Sequence, residues 1–129
     1  MKMDDRSAPM FPRLRLRVTV SASDWLGPGK ADLLMGIAET GSIAAAGRRM
    51  GMSYKRAWGL VEVLNAMFAQ PMVIANRGGA DHGGASLTET GHEVLRLYAT
   101  MLRKADSALS DEVAQLGRLM RGSDMSDGK

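Results

Sequence analysis

A chain of 129 residues with a formal charge of +3 and an isoelectric point near 9.6 has room for one core plus an extension, and its net charge is too small to name a partner. It contains no Cys, which excludes disulfides, thiolate metal sites and thiol catalysis. No apolar run approaches the ~20 residues of a membrane span, and the opening MKMDDRSAPMFPR carries acids and Pro where a secretory leader would carry an apolar core, so the reading is a soluble cytoplasmic protein.

Residues 1–12 show no hydrophobic periodicity and read as a flexible tail. Leu14, Leu16, Val18 and Val20 then alternate with Arg13, Arg15, Arg17 and Thr19. Period two with β-branched residues predicts a half-buried strand with a wet arginine face; that face could touch a phosphate backbone, but keeping an edge soluble is the preferred explanation. Gly27-Pro28-Gly29 interrupts the chain. Between Lys30 and Thr40, Leu33, Leu34, Ile37 and Ala38 recur at helical spacing, with Gly41 as the C-cap. Ser42 caps a second helix, Ile43 to Met50, with Ile43, Ala46, Gly47 and Met50 facing inward. The small run Ala45-Ala46-Gly47 lets another helix cross closely. Gly51 ends that helix, Met52 plugs the turn, and Ser53 caps a third helix from about Tyr54 to Phe68. Ala57, Val61, Leu64 and Phe68 form its apolar stripe.

Pro71 stops the third helix. Met72 to Ala75 and Ala85 to Leu87 read as the two strands of a hairpin whose tip, GGADHGGA, is too rich in Gly to pack. Thr88 caps a fourth helix, with Glu89 favourably placed at its positive end. Its stripe of Leu95, Tyr98, Leu102, Ala105, Leu109, Val113, Leu116 and Met120 extends over ~30 residues, more than a small core can cover. The surplus predicts a homodimer seam formed by Tyr98, Leu102, Ala105, Leu109, Val113 and Leu116. Residues 122–129 read as a disordered tail.

The positive charge is concentrated mid-chain. Between Gly41 and Gly79 the bases are Arg48, Arg49, Lys55, Arg56 and Arg77, against the single acid Glu62. A solvated surface explains any one of them. Their setting argues more. Helix, tight turn at Gly51, helix, then a Gly-tipped hairpin is the order of a winged helix-turn-helix, in which the second helix enters the major groove by its N-terminal residues. That end must be exposed, polar and rich in donors. Tyr54, Lys55 and Arg56 supply this, while the stripe from Ala57 onward anchors the helix to the core. Trp58, just off the stripe, is read as a packing residue. Arg48 and Arg49 complement the dipole at the end of the second helix, with phosphate contact a secondary use.

The stretch GSIAAAGRRMGMSYKRAWGLVEVLN resembles the helix-turn-helix of LysR-type regulators, and resembles more closely the N-terminal domain of ModE-type molybdate-responsive regulators. The likeness rests on Gly41-Ser42-Ile43, Ser53-Tyr54-Lys55, Ala57-Trp58, Gly78-Gly79, Gly83-Gly84-Ala85 and Leu87-Thr88, with Gly91 after them, and covers roughly Asp32 to Met101. It implies a dimeric winged-helix transcription regulator linked to molybdate uptake or molybdenum metabolism. The DNA-contacting set would be Ser42, Arg48, Arg49, Ser53, Tyr54, Lys55, Arg56, Arg77, Gly79 and Gly83, with the wing over Arg77 to Ala85. ModE-type sensors hold molybdate in β-barrel domains that follow the DNA-binding part. With the sequence ending at Lys129, molybdate binding by this chain is not expected. At the wing tip, Ala80-Asp81-His82 stands where a basic tip would suit phosphate.

Rival chemistries are weaker. A phosphate-cradling loop needs a Lys and a Ser or Thr at set spacing, and no Lys follows GGADHGGA until Lys104. Asp81 and His82 sit on the Gly-rich tip, and with His92 they do not make a ligand set of suitable spacing, so no metal, no cofactor and no enzymatic activity is expected. A helical adaptor that works through its C-terminal helix without specific DNA binding is the alternative function. The expected fold is mainly α with a small β component. It comprises a tail (1–12), a winged helix-turn-helix domain (13–87), a long C-terminal dimerisation helix (88–121) and a second tail (122–129).

Overall fold

In the computed structural model, which describes residues 11–76 and 84–122, a short N-terminal hairpin precedes three helices, a second hairpin and two C-terminal helices. The first hairpin joins β1 (Val18–Thr19) to β2 (Trp25–Leu26), with Val18 opposite Leu26 and Thr19 opposite Trp25. From Leu14 onward the predicted alternation holds in burial, since Arg15, Arg17 and Thr19 are exposed while Leu14, Leu16, Val18 and Val20 are half-buried; Arg13, expected on the wet face, is half-buried too. The paired strand is shorter than expected. Its partner is a two-residue segment that carries no periodicity to read. The turn between them is closed by the Ser21 hydroxyl, which accepts from the amides of Ser23 (3.3 Å) and Asp24 (3.1 Å).

Helix α1 (Pro28–Thr40) starts two residues earlier than the spacing suggested, because Pro at the first turn has no N–H to leave unpaired. Gly41 ends it in the left-handed region at φ 72°, its amide donating to the Ile37 carbonyl over 2.8 Å. Helices α2 (Ile43–Arg49) and α3 (Tyr54–Met67) follow, separated by Gly51, also at φ 72°. The small residues set the crossings. A Cβ on Gly36 would lie 3.0 Å from the Ala46 methyl, and one on Gly47 would lie 2.9 Å from the Ala57 methyl. Larger side chains there would push α1 or α3 off α2. Phe68, expected to end the α3 stripe, instead lies just past the helix in extended backbone and is exposed.

The second hairpin pairs β3 (Val73–Asn76) with β4 (Gly84–Leu87) antiparallel, from Val73 opposite Leu87 to Asn76 opposite Gly84. Helix α4 (Glu89–Ala108) packs back across the core. Its Gly91 lies so close to the start of β3 that a Cβ would meet the Met72 carbonyl oxygen at 2.3 Å. Tyr98 is fully buried, and its hydroxyl donates to the Leu16 carbonyl at 2.7 Å, tying α4 to the N-terminal segment. The core is built from Leu33, Leu34 and Ile37 of α1, Val61 and Leu64 of α3, Met72, and Tyr98.

The C-terminal stripe does not lie on one uninterrupted helix. At Leu109 the backbone departs to φ −110°, ψ 11°, and a separate helix α5 (Ser110–Leu119) begins. The local sequence explains the break. Ser107 and Ser110 bracket it, and the Ser110 hydroxyl reaches the Ser107 carbonyl at 3.4 Å, a bond that competes with regular helix geometry. Asp111 and Glu112 then suit the positive end of a new helix.

Candidate nucleic-acid interface

Ser53 fixes where α3 begins. Its hydroxyl accepts from the Arg56 amide at 3.1 Å, so one of the helix's free donors is satisfied and the next residues are set at the helix's tip. Ser53, Tyr54, Lys55 and Arg56 are all exposed, as expected for a leading turn that meets a partner. One turn later Ala57, Val61 and Leu64 are buried, which holds the helix to the core. Among the described residues neither Lys55 nor Arg56 is paired with a carboxylate. The first turn holds no acid either, so its two cations sit against the positive end of their own helix, an arrangement that costs stability unless an anion answers it.

Tyr54 is backed by Trp58. Their rings meet edge to face, 6.1 Å between centroids at 83°, and Trp58 itself is half-buried against the core, as its place beside the stripe suggested. The two rings line a shallow cleft with Ser42, Ala44, Asn76 and Gly84, which brings the start of α2, the start of α3 and the base of the second hairpin to one face. Ser42 is occupied as a cap, its hydroxyl accepting from the Ala45 amide at 3.0 Å.

The two arginines of α2 differ. Arg48 is exposed, whereas Arg49 donates to Glu39 across 2.6 Å and so bridges α2 to α1. That hydrogen bond from Arg49 holds the Glu39 carboxyl below its ordinary range. Arg49 thus has a structural partner that sequence spacing did not disclose. Arg77, Gly79 and Gly83, the expected wing contacts, lie outside the described residues.

Sequence reasoning missed Asn65, whose side chain accepts from the amides of Met72 (2.8 Å) and Val73 (2.9 Å) and donates to the Val73 carbonyl (3.1 Å). It clamps the far end of α3 to the hairpin. Thr88 adds a second tie, donating to the Pro71 carbonyl at 2.7 Å while its hydroxyl accepts from the Gly91 amide at 2.9 Å. Together they fix the angle between α3 and the hairpin. A polar residue in the last turn of an otherwise apolar helix face, six residues before Pro71, was the available signal.

The expected dimer seam needs correction. Tyr98 and Leu102 are buried in the protomer's own core and have no face to offer a second subunit. The heptad-like pattern did not show that the first two turns of the stripe were already in use. Ala105 and Val113 are half-buried, and Leu109 and Leu116 are exposed. Exposed apolar residues also include Leu97 and Met101 on α4, Leu119 on α5 and Met120 just after it.

The architecture is a winged helix-turn-helix, mainly helical with two small hairpins. The same fold occurs in the CbnR DNA-binding domain, solved in complex with DNA, at a TM-score of 0.53 and 24% identity over 68% of this chain and 95% of that one. No family model matches the chain. In sequence the chain is ModE-like, as its motifs implied. It is 32% identical over 108 residues to the transcriptional regulator ModE of Haemophilus influenzae, covering 81% of this chain and 42% of that protein. To the DNA-binding transcriptional dual regulator ModE of Escherichia coli K12 it is 37% identical over 90 residues, 67% of this chain and 34% of that protein. The molybdenum-pterin-binding protein MopB of Rhodobacter capsulatus is 42% identical over 76 residues, 59% of this chain and 28% of its own length. The chain thus spans less than half the length of each of these relatives. Among the described residues no helix is long and apolar enough to cross a membrane.

Proposed function

We propose that this chain is a sequence-specific DNA-binding transcriptional regulator that acts as a homodimer and serves molybdate uptake or molybdenum metabolism. The observation that carries the reading is the exposed leading turn of α3. Tyr54, Lys55 and Arg56 stand outward with no acid among the described residues paired to the two cations, on a helix whose next turn is locked in the core. A major groove supplies what that turn lacks: phosphates for the cations and acceptors on base edges for Lys and Arg. Tyr54 and the shallow cleft beside it would meet the edge of the same site. The names of the similar regulators support the link to molybdenum, and the role is regulatory, not enzymatic.

In this reading the exposed part of the C-terminal stripe, Leu109 and Leu116 with Leu97 and Met101, pairs two copies. A two-fold dimer then offers two α3 helices to major-groove segments ~34 Å apart. The helical-adaptor alternative draws on the same exposed leucines, but it leaves the cationic turn without a use.

Selection of bound fragments from a genomic library, followed by titration of the recovered duplex, tests the proposal. The expected result is an enriched inverted repeat, bound with an affinity that falls steeply with salt as counterions are released. No enriched sequence, or binding indifferent to salt, favours the adaptor. Calorimetry with molybdate is expected to give no heat at micromolar concentrations.

A further inference from the structure

A second basic feature adjoins α3 on its other flank. The N-terminal hairpin, the start of α1 and the side of α3 enclose an open groove of about 760 Å³. Its lining includes the apolar Met50, Met52 and Leu60, and cations from three parts of the chain: Arg15 and Arg17 from just before β1, Lys30 from α1 and Arg56 from α3, against one acid, Asp24. Trp25 organises two of them. The Arg17 guanidinium lies 4.0 Å from the indole centroid and the Lys30 ammonium 3.9 Å from it, so one ring holds two like charges beside the same groove. Burial lowers the pKa of Lys30; Asp24 acts to raise it and Arg17 to lower it further.

The helix start itself does not favour this placement. Lys30 lies in the first turn of α1, where the helix dipole disfavours a cation, and α1 has neither an acid in that turn nor a side-chain cap. Helices α4 and α5, by contrast, open with Glu89 and with Asp111 and Glu112. Arg56 belongs both to the groove and to the exposed turn of α3, so the groove begins where the helix tip ends.

We propose that this groove seats backbone phosphates of the duplex whose bases α3 reads, with Arg17 and Lys30 as the phosphate-contacting residues beyond the recognition helix. The inference rests on the DNA-binding reading above and extends its footprint to the N-terminal hairpin. Phosphate contacts fix register and add affinity without adding sequence information. The two roles therefore separate experimentally.

The test compares the wild-type chain with Lys30→Gln, Lys30→Glu and the double variant Arg17→Ala/Lys30→Gln, each titrated with the selected duplex and with a scrambled one across a salt series. Lys30→Glu puts an acid where the helix dipole favours one, and an unchanged melting midpoint shows that its loss of binding does not come from a weakened α1. The slope of log affinity against log salt should become shallower by about 1 for Lys30→Gln and by about 2 for the double variant. Both duplexes should weaken by the same factor, leaving the preference between them intact. If the double variant melts below Lys30→Gln, Lys30→Gln and Lys30→Glu carry the test alone. A wild-type chain that binds while all variants keep its slope overturns the groove and spares the regulator. A wild-type chain that binds no duplex overturns both. Saturating heat with molybdate or inorganic phosphate at micromolar concentration, abolished by Lys30→Gln, would assign the groove to a free oxyanion and overturn it as a DNA contact.

Discussion

Helices α3 and α4 both begin at a hydroxyl cap, Ser53 and Thr88, yet they treat the turn that follows in opposite ways. In α4 the cap is followed by Glu89, which the helix dipole favours, and Thr88 also ties the helix start to the Pro71 carbonyl. In α3 the cap is followed by Tyr54, Lys55 and Arg56, all exposed, with two cations against the dipole. One start is built to be stable in itself. The other leaves an electrostatic deficit that a polyanion would fill. The far ends differ in the reverse sense. The end of α3 is clamped by Asn65, whereas α4 gives way at Leu109 to α5, which buries no residue within the chain. In the proposed reading, recognition falls to a rigidly anchored helix, and association to the part of the chain that its own core leaves uncovered.

That contrast can be broken most severely at Tyr98, the largest buried side chain of α4. Tyr98→Ala removes a fully buried ring and its bond to the Leu16 carbonyl, and should cost about 3–5 kcal/mol of stability in urea denaturation. Lys55→Ala or Arg56→Ala should do the opposite. Each is expected to weaken binding to the selected duplex by about 1–3 kcal/mol and to relax sequence preference, measured by competition anisotropy. Stability should stay within about 0.5 kcal/mol of wild type. Ser53→Ala removes the cap without touching the cations, and a loss of about 1 kcal/mol is expected on thermal melting. Smallest in stability is Leu116→Asp, at an exposed site on α5. It should leave the melting midpoint of the winged domain unchanged and shift sedimentation toward the monomer.

Much of the fold was legible because its devices are local. Ser42, Ser53 and Thr88 as caps, Gly41 and Gly51 as stops, and the Ala46-Gly47 crossing all act within a turn or two of themselves, and each has the expected role. The less legible parts depend on distant partners. The pairing of Val18–Thr19 with Trp25–Leu26 is too short to leave a pattern. The Arg49–Glu39 bridge joins residues ten apart on different helices. The apolar stripe after Thr88 was read correctly as a stripe. Periodicity cannot tell which of its turns are spent on the protomer's own core, so by pattern alone Tyr98 and Leu102 fall on the outward seam. Of the site, the exposed turn of α3 was evident from residue type and position. The groove at Trp25 was not, since Arg17, Lys30 and Arg56 come from three separate parts of the sequence and meet only in the folded chain.

Backbone chemical-shift mapping of the labelled chain with its selected duplex tests the central claim most directly. The account predicts that the largest shifts fall on Ser53, Tyr54, Lys55 and Arg56, while α5 is unmoved. Shifts confined to α4 and α5, with the leading turn of α3 unchanged at saturating duplex, would contradict it.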